Sequence, residues 1–289
     1  MGTVDTLLVK RQREGRALVM GVLNTTPDSF SDGGEYLQPS AATRRVDELI
    51  AQGADIIDIG GESSRPGAPT IAAGEQIRRI EAALKHAVGL GSVVSIDTTS
   101  ADVARFALEH GAQLVNDVSC LAEPALARVT AARGAKLILM HSRGPMSQMP
   151  GFSQYPRDGY DDVVREVAAE WRVARERAEA EGLQAQDCWF DPGLGFAKNA
   201  EHCIQLLARL DELASLSPVL VLGPSRKSFI GALDGAGPSE RLGGTVAACL
   251  AGVDKGARVL RVHDVHAVRQ ALSVRRAIDR GTMEEPLRA

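Results

Sequence analysis

A chain of 289 residues, 44% of them hydrophobic and 24% charged, has room for one large α/β domain or two small ones. Its net charge of −4 argues against a nucleic-acid-binding surface, and no apolar run reaches the roughly 18 residues that a membrane span needs. Residues 1–16 are charged, unlike a signal peptide, and the four cysteines follow no disulfide or metal-ligand spacing. We therefore expect reduced thiols and a cytoplasmic location.

Short apolar segments, each predicted to form a strand, alternate along the chain with longer amphipathic segments, each predicted to form a helix. The eight predicted strands are residues 17–24, 55–60, 92–97, 113–117, 136–141, 188–191, 219–223 and 258–263. The eight predicted helices are residues 40–52, 70–88, 99–110, 123–133, 160–181, 199–214, 239–255 and 265–280. Several of these helices stop at a glycine (Gly53, Gly111, Gly134, Gly182 and Gly281), which adopts the left-handed conformation at a helix end without steric cost.

This alternation, repeated eight times within about 250 residues, predicts an α/β fold of the (β/α)8 or TIM-barrel class. The active site of such a barrel lies at the carboxyl ends of its strands. A doubly wound open sheet is the alternative, but it usually has fewer strands and would leave an edge uncovered. No linker or composition break divides the chain, so we predict a single barrel domain over residues 1–289, with its core at about 17–281.

Seven of the eight predicted strand ends carry an amide, a carboxylate or a cation, and the remaining one carries His141. A lone aspartate at a strand end is commonly a helix cap, and a lone arginine is commonly a solvated loop charge. Capping alone does not explain so many side chains at one rim, which makes this rim the predicted site. The residues are Asn24, Asp58, Arg65, Asp97, Asn116, Asp117, His141, Asp191, Lys227, Arg261, His263 and Asp264.

One group of these residues suits a polyphosphate. Arg65, Arg261 and His263 are cationic or hydrogen-bonding side chains, and arginine binds phosphate bidentately. Asn24 adds a neutral oxygen, and Mg²⁺ prefers few protein ligands together with phosphate oxygens and water. The chain has no G-x-x-x-x-G-K-[ST] sequence, so an NTPase phosphate loop is excluded.

A second group suits a flat heterocycle. Asp97, Asn116 and Asp191 present acceptors and an amide deep in the predicted barrel mouth. A carboxylate facing adjacent N–H and NH₂ groups is the pairing expected for a guanine-like or pterin-like edge. Phe30 and Phe196 stand in glycine-rich loops from which they could cover aromatic rings.

Long motifs carry these residues. Residues 20–34 read MGVLNTTPDSFSDGG and residues 58–68 read DIGGESSRPGA. Shorter motifs follow at 95–98 (SIDT), 115–117 (VND), 139–141 (LMH), 191–198 (DPGLGFAK), 225–229 (SRKSF) and 261–265 (RVHDV). Together, and in this order, they resemble the dihydropteroate synthase family over nearly the whole chain, from about residue 18 to the last helix.

The resemblance implies a TIM barrel that is typically a homodimer. Members of the family condense (7,8-dihydropterin-6-yl)methyl diphosphate with para-aminobenzoate, giving 7,8-dihydropteroate and pyrophosphate in folate biosynthesis. Sulfonamides compete for the para-aminobenzoate pocket, although the sequence does not decide sensitivity. Because the rim offers cations and carboxylates but no candidate nucleophile, we predict a dissociative, SN1-like step in which Mg²⁺ and cations assist the departure of the diphosphate.

The resemblance also implies a role for individual residues. Asn24 would be the protein ligand of Mg²⁺, and Asp97, Lys227 and Arg65 would be catalytic. The pterin diphosphate would be bound by Ser64, Asp97, Asn116, Met140, Asp191, Gly223, Lys227, Arg261, Val262 and His263. The para-aminobenzoate would be bound by Phe30, Ser64, Arg65, Pro66, Phe196, Lys227 and Ser228.

Two departures and several alternatives accompany this interpretation. Many members have Thr where this chain has Ser64, a change that keeps the hydroxyl, and residues 142–159 form a longer loop than usual. The loop is either a lid or a tolerated insertion, and we favour the insertion. The alternatives are a pterin-binding methyltransferase of the same superfamily, a catalytically silent paralogue, and a sugar-phosphate isomerase or decarboxylase barrel.

Overall fold

The computed structural model describes residues 2–26, 39–63, 70–144, 148–149 and 154–282. Its eight parallel strands pair in sequence order, and β8 pairs with β1 to close a barrel. The predicted (β/α)8 class is therefore confirmed. The strands are β1 (Leu18–Asn24), β2 (Ile56–Gly60), β3 (Val93–Asp97), β4 (Leu114–Asp117), β5 (Lys136–Met140), β6 (Cys188–Asp191), β7 (Leu220–Leu222) and β8 (Ala257–Val262).

Ten α-helices are present in the described part of the chain, two more than the sequence predicted. They are α1 (Thr3–Arg13), α2 (Pro39–Ala51), α3 (Ala73–Gly89), α4 (Ala101–Glu109), α5 (Ala125–Ala132), α6 (Val163–Ala180), α7 (Ala200–Ala208), α8 (Ser228–Asp234), α9 (Leu242–Asp254) and α10 (Val265–Arg280). The unpredicted helices are α1 and α8. Among the described helices, none has the length and apolar character of a membrane span.

Local chemistry explains where two predicted helices differ from the observed ones. Helix α6 begins at Val163 rather than at residue 160, because the Asp162 side chain accepts hydrogen bonds from the first free backbone N–H groups. Helix α7 ends at Ala208, and the residues up to 212 form a separate turn of 3₁₀ helix. The predicted glycine helix ends are confirmed, for example at Gly111, where φ is 99°.

Both faces of the strands are buried along nearly their whole length, which explains why the strands read as largely continuous apolar runs. On β1, Val19 and Leu23 point outward into the layer between barrel and helices, whereas Leu18 and Met20 point into the barrel. The same alternation on β8 places Val262 in the outer layer. Inward-facing residues at the carboxyl ends of the strands are consequently the ones that can reach a ligand.

Helix α1 closes the amino end of the barrel. Val4, Leu7 and Leu8, at i, i+3 and i+4 spacing, pack against the inward-facing residues at the strand starts. The Asp55 carboxylate, just before β2, holds this end together. It accepts hydrogen bonds from Arg11 Nε (2.8 Å) and from the backbone N of Val19 (2.9 Å). Together these contacts seal one end of the barrel and leave the other for a ligand.

Strand register brings the polar residues together at the open carboxyl end. Across successive strands, Asn24 pairs with Gly60, Gly60 with Asp97, and Asp97 with Asn116. Gly60 leaves room between its neighbours, because a Cβ there would lie 3.4 Å from Asp97 Cβ. On the opposite side of the barrel, Met140 pairs with Asp191.

Candidate active site

A pocket of about 330 Å³ opens at the carboxyl end of the barrel. Ten of the predicted site residues line it: Asn24, Asn116, Met140, Asp191, Phe196, Gly223, Lys227, Ser228, Arg261 and His263. Four others (Phe30, Ser64, Arg65 and Pro66) lie outside the described residues, so their roles stay predictions. The pocket is thus assembled from six of the eight strands and the segments that follow them.

Arg261 is the central cation of the pocket. Its Nε donates to Asp58 Oδ2 at 2.6 Å and its Nη2 to Asp97 Oδ2 at 2.6 Å. Burial opposes the charged guanidinium, but Asp58 and Asp97 outweigh burial and raise its pKa. The two ion pairs fix the plane of the guanidinium, which suits a group that stacks on a ring.

Two carboxylates and an amide surround this cation. Burial raises the pKa of the Asp97 carboxyl to about 7, even though Arg261 lowers it. Asn116 donates from Nδ2 to Asp58 Oδ2 at 3.2 Å. We assign the Asn116 carbonyl oxygen to the pocket on this basis, so that it can accept a hydrogen bond from a ligand.

Asp191 and Lys227 occupy the other side of the pocket. Asp191 accepts a hydrogen bond from the backbone N of Gly193 at 2.7 Å, and burial raises the pKa of its carboxyl. Burial and the Arg261 charge lower the pKa of Lys227 to about 8. Lys227 Nζ lies 4.1 Å from the centre of the Phe196 ring, a cation–π distance. The pocket wall therefore combines an aromatic face with a cation.

His263 is a neutral hydrogen-bonding group. Ser225 Oγ lies 2.9 Å from His263 Nδ1 and accepts from the backbone N of His263 at 3.2 Å. We assign the serine proton to the bond with Nδ1, which leaves Nε2–H as a donor. Burial, with the charges of Arg261 and Arg226, lowers the pKa of His263 to about 3.

The sequence and the fold both have known counterparts. The family model described as "Pterin binding enzyme" matches residues 20–263. A dihydropteroate synthase from Synechocystis sp. is 44% identical over 268 residues, covering 91% of this chain and 90% of its own length. The chain belongs to the dihydropteroate synthase family of pterin-binding enzymes.

Solved dihydropteroate synthases share the fold closely. The Yersinia pestis enzyme in a sulfonamide drug complex superposes with a TM-score of 0.85 and 35% identity, covering 93% of this chain and 96% of that one. The Xanthomonas albilineans enzyme in complex with 7,8-dihydropteroate gives 0.79 and 37%, covering 91% and 94%. The expected family is therefore confirmed in sequence and in structure.

The residues present fit the Mg²⁺ expected of a dihydropteroate synthase. In the described ranges, no three His, Cys, Asp or Glu side chains are grouped to hold a metal. A single neutral oxygen, that of Asn24 at the end of β1, suits an ion whose other ligands are phosphate oxygens and water. Such an ion would stay attached chiefly to the substrate.

Sequence reasoning missed some residues of this dihydropteroate synthase pocket and misplaced one. Asp58 was noted at the rim but given no role, although it holds both Arg261 and Asn116. Arg241 also lines the pocket, yet it comes from the segment before α9 and carries no local signal. Val262 was expected to bind substrate. Its side chain packs in the outer layer instead, because side chains alternate along β8.

Two more wall residues stood inside a quoted motif without an assignment. Ser225 orients His263, as described above, and Arg226 forms an ion pair with Asp264, with Nη2 and Oδ1 2.6 Å apart. The backbone of Arg226 has φ of 56°, and its carbonyl accepts a hydrogen bond from Arg241. The SRKSF motif thus shapes the pocket wall through its backbone as well as through Lys227 and Ser228.

Proposed function

We propose that this chain condenses (7,8-dihydropterin-6-yl)methyl diphosphate with para-aminobenzoate, giving 7,8-dihydropteroate and pyrophosphate in folate biosynthesis. The observation that carries the proposal is one pocket that unites two kinds of group. Acceptors for a pterin edge (Asn116 and Asp191) stand beside donors for a diphosphate (Arg261 and His263), and Asp97 lies behind this wall, hydrogen-bonded to Arg261. A pterin-binding methyltransferase needs the first kind but not the second.

The pterin would be bound through its hydrogen-bonding edge and its flat face. Asp191 and the Asn116 carbonyl would accept from ring N–H and NH₂ groups, and Lys227 would donate to a ring oxygen or nitrogen. The fixed plane of Arg261 would stack on the ring, since two of its nitrogens are held by carboxylates.

The diphosphate would lie at the rim. His263 would donate from Nε2, Arg261 from its remaining nitrogen, and Arg65 from its predicted loop. Asn24 would hold Mg²⁺, which would supply positive charge against the departing diphosphate. In this arrangement the neutral state of His263 is useful, because a hydrogen-bond donor is available at every physiological pH.

The reaction would follow a dissociative, SN1-like course. The dihydropterin ring can delocalise the positive charge left at the methylene carbon, and the buried Asp97 carboxylate would stabilise that charge electrostatically. A nucleophilic enzyme group is not required. The four cysteines are poor candidates for one, since burial raises the pKa of each thiol.

The aryl amine would attack last. Para-aminobenzoate would rest against Phe196 and Lys227, with Ser228 donating to its carboxylate. Its weakly basic nitrogen loses a proton readily after bonding to carbon, so no strong general base is needed. The predicted loop residues Phe30, Ser64 and Pro66 would complete this side of the pocket.

We also propose Mg²⁺ dependence, a homodimer and a cytoplasmic location. The support for the dimer is family membership, and the support for the location is four buried, unpaired thiols. Light scattering of the purified chain should give a mass of two chains. A mass of one chain would rule out the dimer.

The test of the function is the release of pyrophosphate from the pterin diphosphate when para-aminobenzoate is added. We expect release that needs Mg²⁺ and that matches dihydropteroate formation mole for mole. Addition of sulfamethoxazole would then report whether the pocket accepts a competing sulfonamide. Pterin binding without turnover would instead favour the methyltransferase or the silent paralogue.

A further inference from the structure

A fully buried lysine lies behind the aromatic wall of the pocket. Lys198 has 1% of its surface exposed and does not line the pocket. Its Nζ lies 2.8 Å from His141 Nδ1, 3.0 Å from the carbonyl O of Phe196 and 3.4 Å from the carbonyl O of His141. An ammonium group has three protons, and it finds three acceptors here.

The charge of this lysine is balanced through the histidine. His141 Nε2 lies 3.0 Å from Glu170 Oε2 on α6, and Arg143 also donates to Glu170. Burial lowers the pKa of His141 to about 4, so its imidazole is neutral and joins the lysine to the glutamate. Burial lowers the pKa of Lys198 to about 7. Burial of a charged lysine costs stability, so we expect Lys198 to have a structural or functional role.

The segment between β6 and α7 depends on these contacts for its shape. Gly193 approaches β5 so closely that a Cβ would lie 2.0 Å from the carbonyl O of His141. Ala197 has φ of 48°, a left-handed conformation that is unfavourable for alanine. Its carbonyl O accepts from the Tyr160 hydroxyl at 3.1 Å. Tertiary contacts therefore hold this backbone in place.

The same segment delivers Phe196 to the pocket. Phe196 lies between Ala197 and the glycine-rich turn, and its carbonyl is one of the three acceptors of Lys198. Its ring faces Lys227, and its side chain packs with Met140 and Met149. A shift of the Phe196 carbonyl would move the ring that forms the wall for the aryl amine. The base of the pterin site, built on β3 and β4, would not move with it.

We propose that Lys198 is a positioning residue that fixes Phe196 as the wall of the para-aminobenzoate subsite. Lys198 donates hydrogen bonds to the carbonyls of both Phe196 and His141, and so it links the β6–α7 segment to the end of β5. It acts through Phe196 and touches neither substrate. This inference rests on the proposed function, because it assigns a residue to one substrate of that reaction.

The test is a comparison of the two Michaelis constants in three variants. Lys198→Met keeps the length of the side chain and removes its donors. We expect KM for para-aminobenzoate to rise about tenfold to a hundredfold, because small misplacements of a positioning group have effects of this size. KM for the pterin diphosphate should change by less than about threefold, since Asn116 lies on β4 and Asp191 is held within β6, ahead of the segment that Lys198 contacts.

The second variant, Lys198→Gln, keeps two N–H donors and loses the charge. We expect it to recover most of the affinity for para-aminobenzoate that Lys198→Met loses, because the proposal rests on hydrogen bonds to carbonyls. The control is Lys136→Met, at the start of β5, the strand whose carboxyl end Lys198 contacts through His141. Lys136 is also largely buried, and it forms ion pairs with Asp5 (2.8 Å) and Asp187 (2.6 Å) at the far end. This control should leave both Michaelis constants unchanged.

The outcomes separate this inference from the proposed function. Absence of dihydropteroate formation by the wild-type chain would overturn the proposed function, and the inference with it. An active wild type with equal rises in both constants, or with none, would overturn the positioning role alone. If Lys198→Met does not fold, Lys198→Gln decides. Near-normal affinity for para-aminobenzoate supports the role, and a loss of tenfold or more contradicts it.

Discussion

The two ends of the barrel differ in how their buried charges are paired. At the amino end, one carboxylate, that of Asp55, is met by three arginines: Arg11, Arg16 and Arg269 lie within 2.7, 3.6 and 3.6 Å of it. At the carboxyl end, one arginine, Arg261, serves two carboxylates. The first arrangement is redundant, and the second is not.

This contrast shows which end is built for stability and which for chemistry. Asp55 contacts α1, the start of β1 and α10 through hydrogen bonds and ion pairs. The apolar side chains of α1 pack against the strand starts at the same end. At the other end, Arg261 pairs with both Asp58 and Asp97, and burial raises the pKa of the Asp97 and Asp191 carboxyls. Buried carboxyls with perturbed pKa values cost stability when they ionise, which is why a group of them in a pocket marks a site.

The largest expected effect is that of removing the shared cation. Arg261→Met leaves Asp58 and Asp97 without their ion-pair partner in the described structure. We expect a loss of about 3–5 kcal/mol in unfolding free energy and no measurable pyrophosphate release. Urea unfolding and a pyrophosphate assay check both values. The matched variant at the amino end, Arg269→Met, should cost less than about 1 kcal/mol, because Asp55 keeps two arginines.

Replacing one carboxylate at each end should change stability in opposite directions. The pKa of Asp97 is about 7 in the folded chain and near 3.8 in the unfolded chain. Protonated Asp97 therefore contributes its full stability below pH 3.8, and this contribution is lost as the pH rises through 7. Asp97→Asn should therefore be at least as stable as wild type at pH 8. Asp55→Asn should lose about 1.5–3 kcal/mol. A less stable Asp97→Asn would contradict the contrast.

Two lysines, one at each end of the barrel, allow the same comparison with a smaller expected change in stability. Burial lowers the pKa of Lys227 to about 8, below its unfolded value of 10.5. The charged Lys227 side chain therefore destabilises the fold below pH 8, and this cost disappears as the pH rises from 8 to 10.5. Lys227→Met should raise the melting temperature at pH 7 and weaken pterin binding by about 1.5–3 kcal/mol. Ion pairs outweigh burial at Lys136 and raise its pKa. Lys136→Met should therefore lower the melting temperature and leave pterin binding unchanged.

The last expected effect is the pH dependence of turnover. If the Asp97 carboxylate stabilises the transition state, kcat/KM for the pterin diphosphate should fall as the pH drops below about 7. The limiting slope is about tenfold per pH unit. The Asp97→Asn variant should lack this fall. A wild-type profile that stays flat between pH 5 and 7 would remove Asp97 from the mechanism.

Most of the barrel and much of its site could be predicted from the sequence. Buried parallel strands give continuous apolar runs, and a polar residue at the end of such a run has only the open end to face. That rule found Asn24, Asp97, Asn116 and Asp191. The period of two along β8 would also have excluded Val262, since its neighbours on either side face the pocket.

The features that the sequence did not predict depend on contacts between segments far apart in the chain. Helix α1 has few apolar residues and is stabilised by the barrel end that it covers, although the spacing of Val4, Leu7 and Leu8 was a usable signal. Lys198 contacts His141, just after β5, and His141 in turn contacts Glu170 on α6, and no local pattern joins these segments. Residues 27–38 and 64–69 carry predicted loop contacts that lie outside the described residues.

The most direct test of the account is the rate of pyrophosphate release by Asp97→Asn and Asp55→Asn, with both substrates and Mg²⁺ at pH 8. We predict that Asp97→Asn is slower than wild type by about a hundredfold to a thousandfold, the range expected for a lost electrostatic contact in a transition state. Asp55→Asn should stay within about threefold of wild type. Equal losses in the two variants, or a near-normal rate for Asp97→Asn, would contradict the assignment of chemistry to the carboxyl end.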